Sequence, residues 1–437
     1  MKNQYPIDAV YKPFYEFIKR ERSGGIILGF SVILALLLAN SPWSEHYFHF
    51  FEHTFGFEFD GKSYLNFDIH HWINDGLMAI FFFVIGLELK REIVGGELSS
   101  PRKAILPIGA AIGGMVFPAI IYLLLNPSGE AHSGWGIPMA TDIAFALGIL
   151  YFLGKRVPLS LKIFLTVLAV IDDLGAVLVI AFFYTSDISI LNLGLGLAFV
   201  SIMYAGNRLG IRNIYFYAFF GIVGVWTAFL LSGVHATIAA VIAAFTIPAD
   251  VTLKEFAYIK KIQESINRFK TINPNSKPTL SGSQLQILNE IEKDTNSAMP
   301  PLQRLEHAMH PLVTFFILPV FALSNAGITF GTRVDYLFEN NITFGVIFGL
   351  LFGKFIGVVG VSLLLIKLKI SPLPDGMNRR HLYGVGLLAS VGFTMSLFIN
   401  SLAFTDPQHI LQAKIGVFCA SVIGGILGYI VLRKKQE

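Results

Sequence analysis

Long apolar stretches recur along the chain and constrain its fold more than any other feature. A helix crosses a hydrocarbon core in about 20 apolar residues, and the sequence contains about 12 such segments. Charged residues make up 14% of the chain, against roughly 25% in soluble domains. A large soluble enzyme and a disordered chain are therefore both excluded. The segments are residues 24–41, 72–89, 104–125, 136–153, 163–184, 189–206, 214–231, 234–249, 307–325, 342–366, 382–403 and 414–432.

The positions of lysine and arginine test this count, because cytoplasmic loops of membrane proteins are enriched in both. If the N-terminus is cytoplasmic and the spans alternate, nearly all of the 33 basic residues lie on the inner side. The outer segments hold only Lys62 and Arg333, while Lys354 and Lys414 fall within the tenth and twelfth spans. This asymmetry predicts an even number of spans with both termini cytoplasmic. No secretory cleavage site follows the first span, so we expect it to be retained.

We expect one all-α polytopic transmembrane domain over residues 1–437, with two polar interruptions. The external loop 42–71 contains Asp60–Gly61 within an alternating pattern, which is typical of a β-hairpin. The cytoplasmic polar insert 250–303 has helical ends around a flexible centre rich in Pro, Ser and Gly. It leaves no room for a soluble catalytic domain. The single cysteine, Cys419, completes neither an intrachain disulfide nor a thiolate metal site.

Four ionisable residues lie deep inside the predicted spans, where each charge costs about 2.5–3.5 kcal/mol even on the most lenient insertion scale. Asp142 lies in span four, Asp172 and Asp173 in span five, and Lys354 in span ten. Such groups usually mark a transport path; an ion pair that only holds helices together is the alternative. Adjacent helical residues point about 100° apart. We therefore expect Asp172 to face Lys354 and Asp173 to face a wet cavity.

Two spans contain residues that interrupt a helix. Span four reads GWGIPMATDIAFALG, and its Gly136 and Pro138 precede Thr141 and Asp142, a pattern that predicts a half-helix capped by one of the latter two. Span eleven reads GVGLLASVGFTMSLF, with a polar, glycine-containing centre. Each is the middle member of a triplet of spans, which indicates an inverted repeat with an ion site at mid-membrane. Close helix packing by small residues is the alternative, mainly for span eleven.

The carboxylates at membrane depth favour the protonated form, because desolvation penalises charge. Once they deprotonate, the same oxygens, with backbone carbonyls and the Thr141 hydroxyl, suit a small hard cation such as Na⁺ or Li⁺. Cation and protons then compete for one site. Competition at a site that opens alternately to each side is sufficient for antiport. The cycle moves net charge if more than one proton is exchanged per cation.

At these residues the chain resembles the NhaA family of bacterial sodium/proton antiporters. The IDDLG and ATDIAFALG runs together are highly specific. For this family an inverted-repeat fold with broken helices is already known, and the resemblance implies it here, with two broken, crossing helices in spans four and eleven. The matching stretches are INDGLMAIFFFVIGLELKRE (73–92), MATDIAFALGILYFLGKRVPLSLKIFL (139–165), LAVIDDLGAVLVIAFFYTSD (168–187), LSGVHATIAAV (231–241), RLEHAMHPLVTFFILPVFALSNAG (304–327), GLLFGKFIG (349–357) and VGFTMSLFI (391–399).

The resemblance also implies roles for particular residues. Asp75 would line the outer ion route. The ion and proton site would consist of Asp172, Asp173, Asp142, Thr141 and Lys354. The residues that set the pH response would be Glu88, Glu92, His235, Glu306, His307 and His310.

Simpler alternatives exist for the residues implied in the pH response. An ordinary solvated helix end explains Glu88 and Glu92 about equally well, and His235 is as readily a packed histidine. His307 and His310 share a helical face, but the order Glu-His-x-x-His and the lack of an evident third ligand argue against a metal site. The insert is longer than family members usually carry, which leaves the midpoint of pH activation open.

These features predict a Na⁺(Li⁺)/H⁺ antiporter, a secondary active transporter and not an enzyme. It would export cytoplasmic sodium in exchange for external protons, electrogenically and under pH regulation, for sodium and pH homeostasis. We expect no cofactor beyond the transported ions, a bacterial cytoplasmic (inner) membrane location in contact with lipid, a homodimer, and no nucleic-acid partner. A sodium-coupled symporter of a small organic solute is the alternative.

Two further classes fit less well. An intramembrane aspartyl protease needs two aspartates that face each other from different helices and share a proton. Asp172 and Asp173 are adjacent and cannot do so, although Asp142 with Asp173 could in principle. A passive sodium channel needs neither titrating carboxylates nor a buried lysine.

Overall fold

The computed structural model describes residues 23–59, 62–185, 188–272, 279–329 and 341–434. The basic N-terminal segment, the Asp60–Gly61 turn, the centre of the insert and Arg333 lie outside these ranges. Within them the chain is almost entirely helical, and the sole sheet of the described part is one two-stranded hairpin.

Sixteen helices are numbered here in chain order. They are α1 Ser23–Ala39, α2 Ser44–Glu52, α3 Met78–Gly95, α4 Pro101–Leu125, α5 Ile143–Leu153, α6 Leu159–Phe183, α7 Ile190–Arg208, α8 Ile214–Leu230, α9 Ala236–Thr246, α10 Glu255–Thr271, α11 Gly282–Ala298, α12 Pro301–Asn325, α13 Ile342–Lys367, α14 Arg379–Leu388, α15 Phe393–Ala403 and α16 Pro407–Arg433. A π-helical segment, Trp72–Leu77, leads into α3, and a 3₁₀ segment, Glu130–Met139, precedes α5. Short helical turns cover Ile69–His71, Glu97–Ser99 and Gly154–Arg156.

Seven helical segments of the described part are long and apolar enough to cross a membrane. Two bent pairs raise the number to as many as nine: α1 with α2, bent by 112°, and α14 with α15, bent by 42°. The helices α8 and α9 are apolar but shorter, and α3 carries several charges in its second half. The protein is therefore an all-α, multi-pass membrane protein. Every predicted span overlaps one of these helices, while the number that crosses the membrane stays a prediction.

Close backbone packing between α4 and α13 creates part of the protein interior. A Cβ atom on Gly357 would lie 2.1 Å from the Gly113 carbonyl oxygen, and one on Gly353 would lie 2.6 Å from Pro118 Cα. Only glycine allows helices to approach this closely. The approach leaves no solvent-accessible surface on Lys354, the residue that follows Gly353.

The polar segment 42–71 contains the predicted hairpin together with a helix that was not predicted from the sequence. Strands β1 (Thr54–Phe59) and β2 (Lys62–Asp68) pair antiparallel, from Thr54 opposite Asp68 to Phe59 opposite Lys62. Before them, α2 buries Tyr47 and Phe51. The α2 sequence, SEHYFHFFE, is too short and too polar to be recognised as a span, so the apolar-run criterion passes over it.

The polar insert 250–303 contains two helices, α10 and α11, that pair with each other. Lys261 Nζ lies 3.0 Å from Asp294 Oδ1, and an Arg268 nitrogen lies 2.7 Å from Glu290 Oε2. Ser281 caps α11, and its side chain accepts a hydrogen bond from the Gln284 backbone N–H. The predicted helical ends are thus present, whereas the expected flexible centre, residues 273–278, lies outside the described residues.

Candidate ion-binding site

Span four is interrupted where the sequence predicts it. The 3₁₀ segment ends at Met139, the next three residues are extended or irregular, and α5 then begins at Ile143. Asp142 is the N-cap of α5, and its Oδ1 accepts a hydrogen bond from the Phe145 backbone N–H at 3.0 Å. A carboxylate at this position satisfies one of the free N–H groups of the first helical turn.

The second interruption, between α14 and α15, is hydrogen-bonded to the first. The Asp142 N–H donates to the Val391 carbonyl at 2.6 Å. Asp142 Oδ2 accepts from the Thr394 N–H at 2.9 Å and from its hydroxyl at 2.6 Å. Backbone groups freed by a helix break cannot face lipid. The backbone polar groups at each helix break therefore find hydrogen-bond partners at the other break. The Asp142 carboxyl group connects the two breaks.

Asp172 and Lys354 form a buried pair beside this crossing. Lys354 Nζ lies 2.5 Å from Asp172 Oδ2, and neither side chain has any exposed surface. The Thr141 hydroxyl lies 2.8 Å from the same carboxylate oxygen and 3.0 Å from the Ala389 carbonyl. One hydroxyl carries one proton, so Thr141 donates to one of these two acceptors at a time. The arrangement links α6 and α13 to both helix breaks.

Asp173 has no comparable partners. Its side chain is fully buried, and neither of its carboxylate oxygens has a hydrogen-bond partner within the described ranges. Asp172 Oδ1 is also without a partner there. An ionised carboxylate in such surroundings is strongly disfavoured unless a charge or a hydrogen bond compensates it. Asp173 therefore lacks the compensation that a buried charge requires, whereas Asp172 has Lys354 and Thr141 as partners.

The structure differs from the sequence-based expectation that Asp173 faces a wet cavity. No part of the Asp173 side chain is exposed, because its neighbours on α6 are also buried: Val170, Ala176 and Val177 are 0–2% exposed. In this conformation the site is closed to solvent.

A cavity of about 370 Å³ approaches the crossing from the side of the predicted inner loops. Ile143 and Ala144, directly after Asp142, line it, so it reaches the start of α5. Glu88 and His310 also line this cavity.

Arg91 lines this cavity and contacts two of the predicted pH-response residues, one on α3 and one on α12. Arg91 is paired with Glu306, and a second Arg91 nitrogen lies 2.9 Å from Glu92 Oε1. Glu92 also accepts a hydrogen bond from the Glu97 backbone N–H at 3.0 Å. His307 is exposed and does not line the cavity. The role of Glu92 in the pH response stays a prediction, because both of its partners, Arg91 and Glu97, lie at the same helix end.

Asp75 and His235 lie apart from this cluster. Asp75 belongs to the π-helical segment before α3, and its Oδ2 lies 3.4 Å from His71 Nε2. His235 Nε2 donates to the Tyr184 carbonyl at 3.0 Å. This hydrogen bond agrees with the simpler interpretation of His235 as a packed histidine.

The contacts of Thr394 and Arg91 were not predicted from the sequence. Thr394 supplies two of the hydrogen bonds to Asp142, and Arg91 joins two of the predicted acidic residues. A signal for Thr394 was present, because it is one of the polar residues at the centre of span eleven. No local sequence signal pairs Arg91 with Glu306, which is 215 residues away.

A multi-pass helical protein in which two interrupted helices cross beside buried carboxylates and a buried lysine has the features of a secondary transporter. A family model described as Na⁺/H⁺ antiporter 1 matches residues 15–432. The chain belongs to this family, and the resemblance seen in the sequence is confirmed.

Curated relatives match nearly the whole chain. The Na⁺/H⁺ antiporter NhaA 1 of Saccharophagus degradans is 47% identical over 98% of this chain and 92% of its own length. The Na⁺/H⁺ antiporter NhaA of Oleidesulfovibrio alaskensis is 49% identical over 98% of this chain and 95% of its own. That of Acidithiobacillus ferrooxidans is 47% identical over 97% and 99%, respectively.

Proposed function

We propose that this protein exchanges cytoplasmic Na⁺ or Li⁺ for external protons. The observation that carries the proposal is the fully buried Asp173, whose two carboxylate oxygens have no partner in the described structure, next to the Lys354–Asp172 pair. A buried site of this kind binds a proton or a small cation, and it cannot remain both charged and empty. The relatives, which are named Na⁺/H⁺ antiporters, support the same activity.

Competition for the carboxylates couples the two ions. The Asp172 carboxylate now stabilises the Lys354 ammonium, which lies 2.5 Å away. A cation bound between Asp172 and Asp173 would compete with Lys354 for the negative charge of Asp172. Cation binding therefore favours release of a proton from Asp173 and weakens the hold of Asp172 on Lys354. If more than one proton leaves per cation, the cycle is electrogenic, and the membrane potential contributes about 2.3 kcal/mol per charge per 100 mV.

The access routes and the pH response extend this proposal. The cavity lined by Glu88 and His310 would be the inner entrance, and Asp75 would lie on the outer route. The Arg91 cluster with Glu92 and Glu306 connects α3 to α12 at the inner entrance, where protonation of a carboxylate would weaken the link. Glu306→Gln should therefore move the pH profile of exchange without abolishing ion binding. An unchanged profile would remove Glu306 from this role.

The finer architecture is also proposed. We infer a single domain over residues 1–437 with about twelve spans, inverted repeats that each contain one broken helix, and both termini in the cytoplasm. The loop 42–71 would be external and the insert 250–303 cytoplasmic. A homodimer in the bacterial inner membrane is the expected assembly.

Everted membrane vesicles with a trapped pH-sensitive dye test the exchange directly. We expect dequenching of the dye on addition of NaCl or LiCl but not KCl, and loss of the response in Asp173→Asn. Asp375→Asn is the matched control, because Asp375 is an exposed aspartate outside the site. A sodium response that survives replacement of both Asp172 and Asp173 by asparagine would refute the mechanism. Sodium-dependent uptake of an organic solute would instead support the symporter alternative.

A further inference from the structure

A second cavity, a groove of about 620 Å³, lies between α1, α5, α15 and α16. Its walls are apolar and aromatic and include Val32, Phe145, Phe393 and Phe418. It lies on a different face of α5 from the inner cavity and shares no lining residue with it. No charged side chain lines the groove, so it is unsuited to the transported ions.

Exposed apolar side chains line the mouth of the groove. Three of its lining residues, Phe152, Val422 and Ile426, are 55–56% exposed. They lie on helical segments that are long and apolar enough to cross a membrane. Large exposed apolar side chains in such segments are solvated by acyl chains. The medium that enters the groove is therefore lipid.

The packing of the protein leaves the floor of the groove incomplete. A Cβ atom on Gly29 would meet only Phe145 Cε1, at 3.9 Å, so the space beside it is open. Ser421, also in the lining, is 8% exposed, and its hydroxyl has no hydrogen-bond partner within the described ranges. A serine in a membrane helix commonly bonds to the carbonyl one turn before it. The Ser421 hydroxyl has no partner among the described residues, and Gly29 has no side chain to fill the space beside it. The protein itself therefore leaves this part of the groove open.

The groove is lined by residues that neighbour Asp142 at the helix crossing. Phe145 belongs to the first turn of α5, which Asp142 caps, and the Val391 carbonyl accepts the Asp142 N–H. The Phe393 ring at the start of α15 packs edge-to-face on Phe145, with centroids 5.2 Å apart, and on Phe418, with centroids 4.9 Å apart. An occupant of the groove therefore contacts residues at both helix breaks.

We propose that the acyl chain of a membrane lipid occupies this groove and supports the helix crossing from behind. The volume lies in the range of small-ligand pockets, about 300–1,000 Å³. An unfilled space would deprive its lining of dispersion contacts, and acyl chains are the apolar molecules present at its mouth. The lipid is then a ligand that binds beside the two helix breaks. Its presence restricts the motion of the Phe145 and Phe393 side chains.

Photo-crosslinking tests the occupant. The full chain is reconstituted in phosphatidylethanolamine/phosphatidylglycerol vesicles that contain a phospholipid with a diazirine on its acyl chain, and adducts are mapped by mass spectrometry. We expect adducts on the segments around Phe145 and Phe418. In Gly29→Leu, whose side chain fills the groove, these adducts should fall to background, while adducts on the exposed face of α7 remain. Gly194→Leu, on α7, is the control, because a Cβ there meets nothing within 4 Å.

A second measurement distinguishes occupancy from a folding defect. In short-chain detergent, added phospholipid should raise the thermal midpoint of the unmodified chain and of Gly194→Leu more than that of Gly29→Leu. Val32→Phe fills the groove from another wall and should reproduce the loss. Equal adducts or equal midpoint rises in all variants would overturn the proposal. So would crosslinks in the groove to a second copy of the chain in place of lipid.

Discussion

Replacement of Lys354 by methionine tests the energetic basis of the site. The substitution keeps the length of the side chain and removes its charge, so Asp172 remains buried beside a neutral group. At 2.5 Å, the attraction between the two charges is about 7 kcal/mol at an effective dielectric constant near 20. Desolvation of the two ions offsets much of this, and removal of one partner of a buried pair costs about 3–5 kcal/mol.

The loss should depend on pH, because Asp172 can avoid an unpaired buried charge by binding a proton. We expect Lys354→Met to lower the free energy of unfolding by about 3–5 kcal/mol at pH 8 and by less at pH 5. Asp172→Asn leaves the ammonium unpaired and should also destabilise the protein. The double variant should be more stable than the sum of the two losses implies, because neither charge is then buried alone.

Unfolding in mixed micelles, followed by tryptophan fluorescence at both pH values, measures these differences. Lys414→Met is the matched control: Lys414 is the other cation within a predicted span, and it forms no ion pair in the part of the chain that the structure describes. We expect little change there. Additive losses in the double variant, or an unchanged stability of Lys354→Met at pH 8, would refute the reasoning.

Three further predictions concern individual residues. Asp173→Asn should abolish sodium-dependent proton movement while keeping or raising thermal stability, because the carboxylate has no hydrogen-bond partner within the described ranges to lose; a folded variant that still exchanges ions would contradict this. Thr394→Val removes a hydroxyl donor from Asp142 and should cost about 1–3 kcal/mol in unfolding experiments, whereas Thr394→Ser should restore most of it. Outside the predicted spans, the hydrogen bonds from Arg212 lower the pKa of Asp250 below its usual 3.8. The stabilisation is therefore present above that pH and is lost as the pH falls through the lowered pKa. Arg212→Gln should remove this acid-dependent part, and the change should stay below about 1 kcal/mol, because the Asp250 side chain is 72% exposed.

The helical membrane class was predictable because hydropathy is a property of a short window of sequence. The break in span four was predictable for a similar reason, since Gly136, Pro138 and a capping aspartate lie within a few residues of one another. The short helix α2 was not predicted, because its polar residues interrupt the apolar run by which a membrane span is recognised. The absence of exposed surface on Asp173 was also missed, because solvent access depends on helices that pack from elsewhere in the chain.

The amino-acid sequence alone determined that this chain is a membrane protein and which charged side chains fall within its apolar segments. The sequence predicted that Asp172 faces Lys354, 182 residues away, and the structure contains this pair. Tertiary structure alone decided that Thr394 bonds to Asp142 across 252 residues. It also decided that Asp173 has no hydrogen-bond partner among the described residues. The physical reason is that burial in lipid depends on about 20 consecutive residues, whereas an ion pair depends on where distant helices cross.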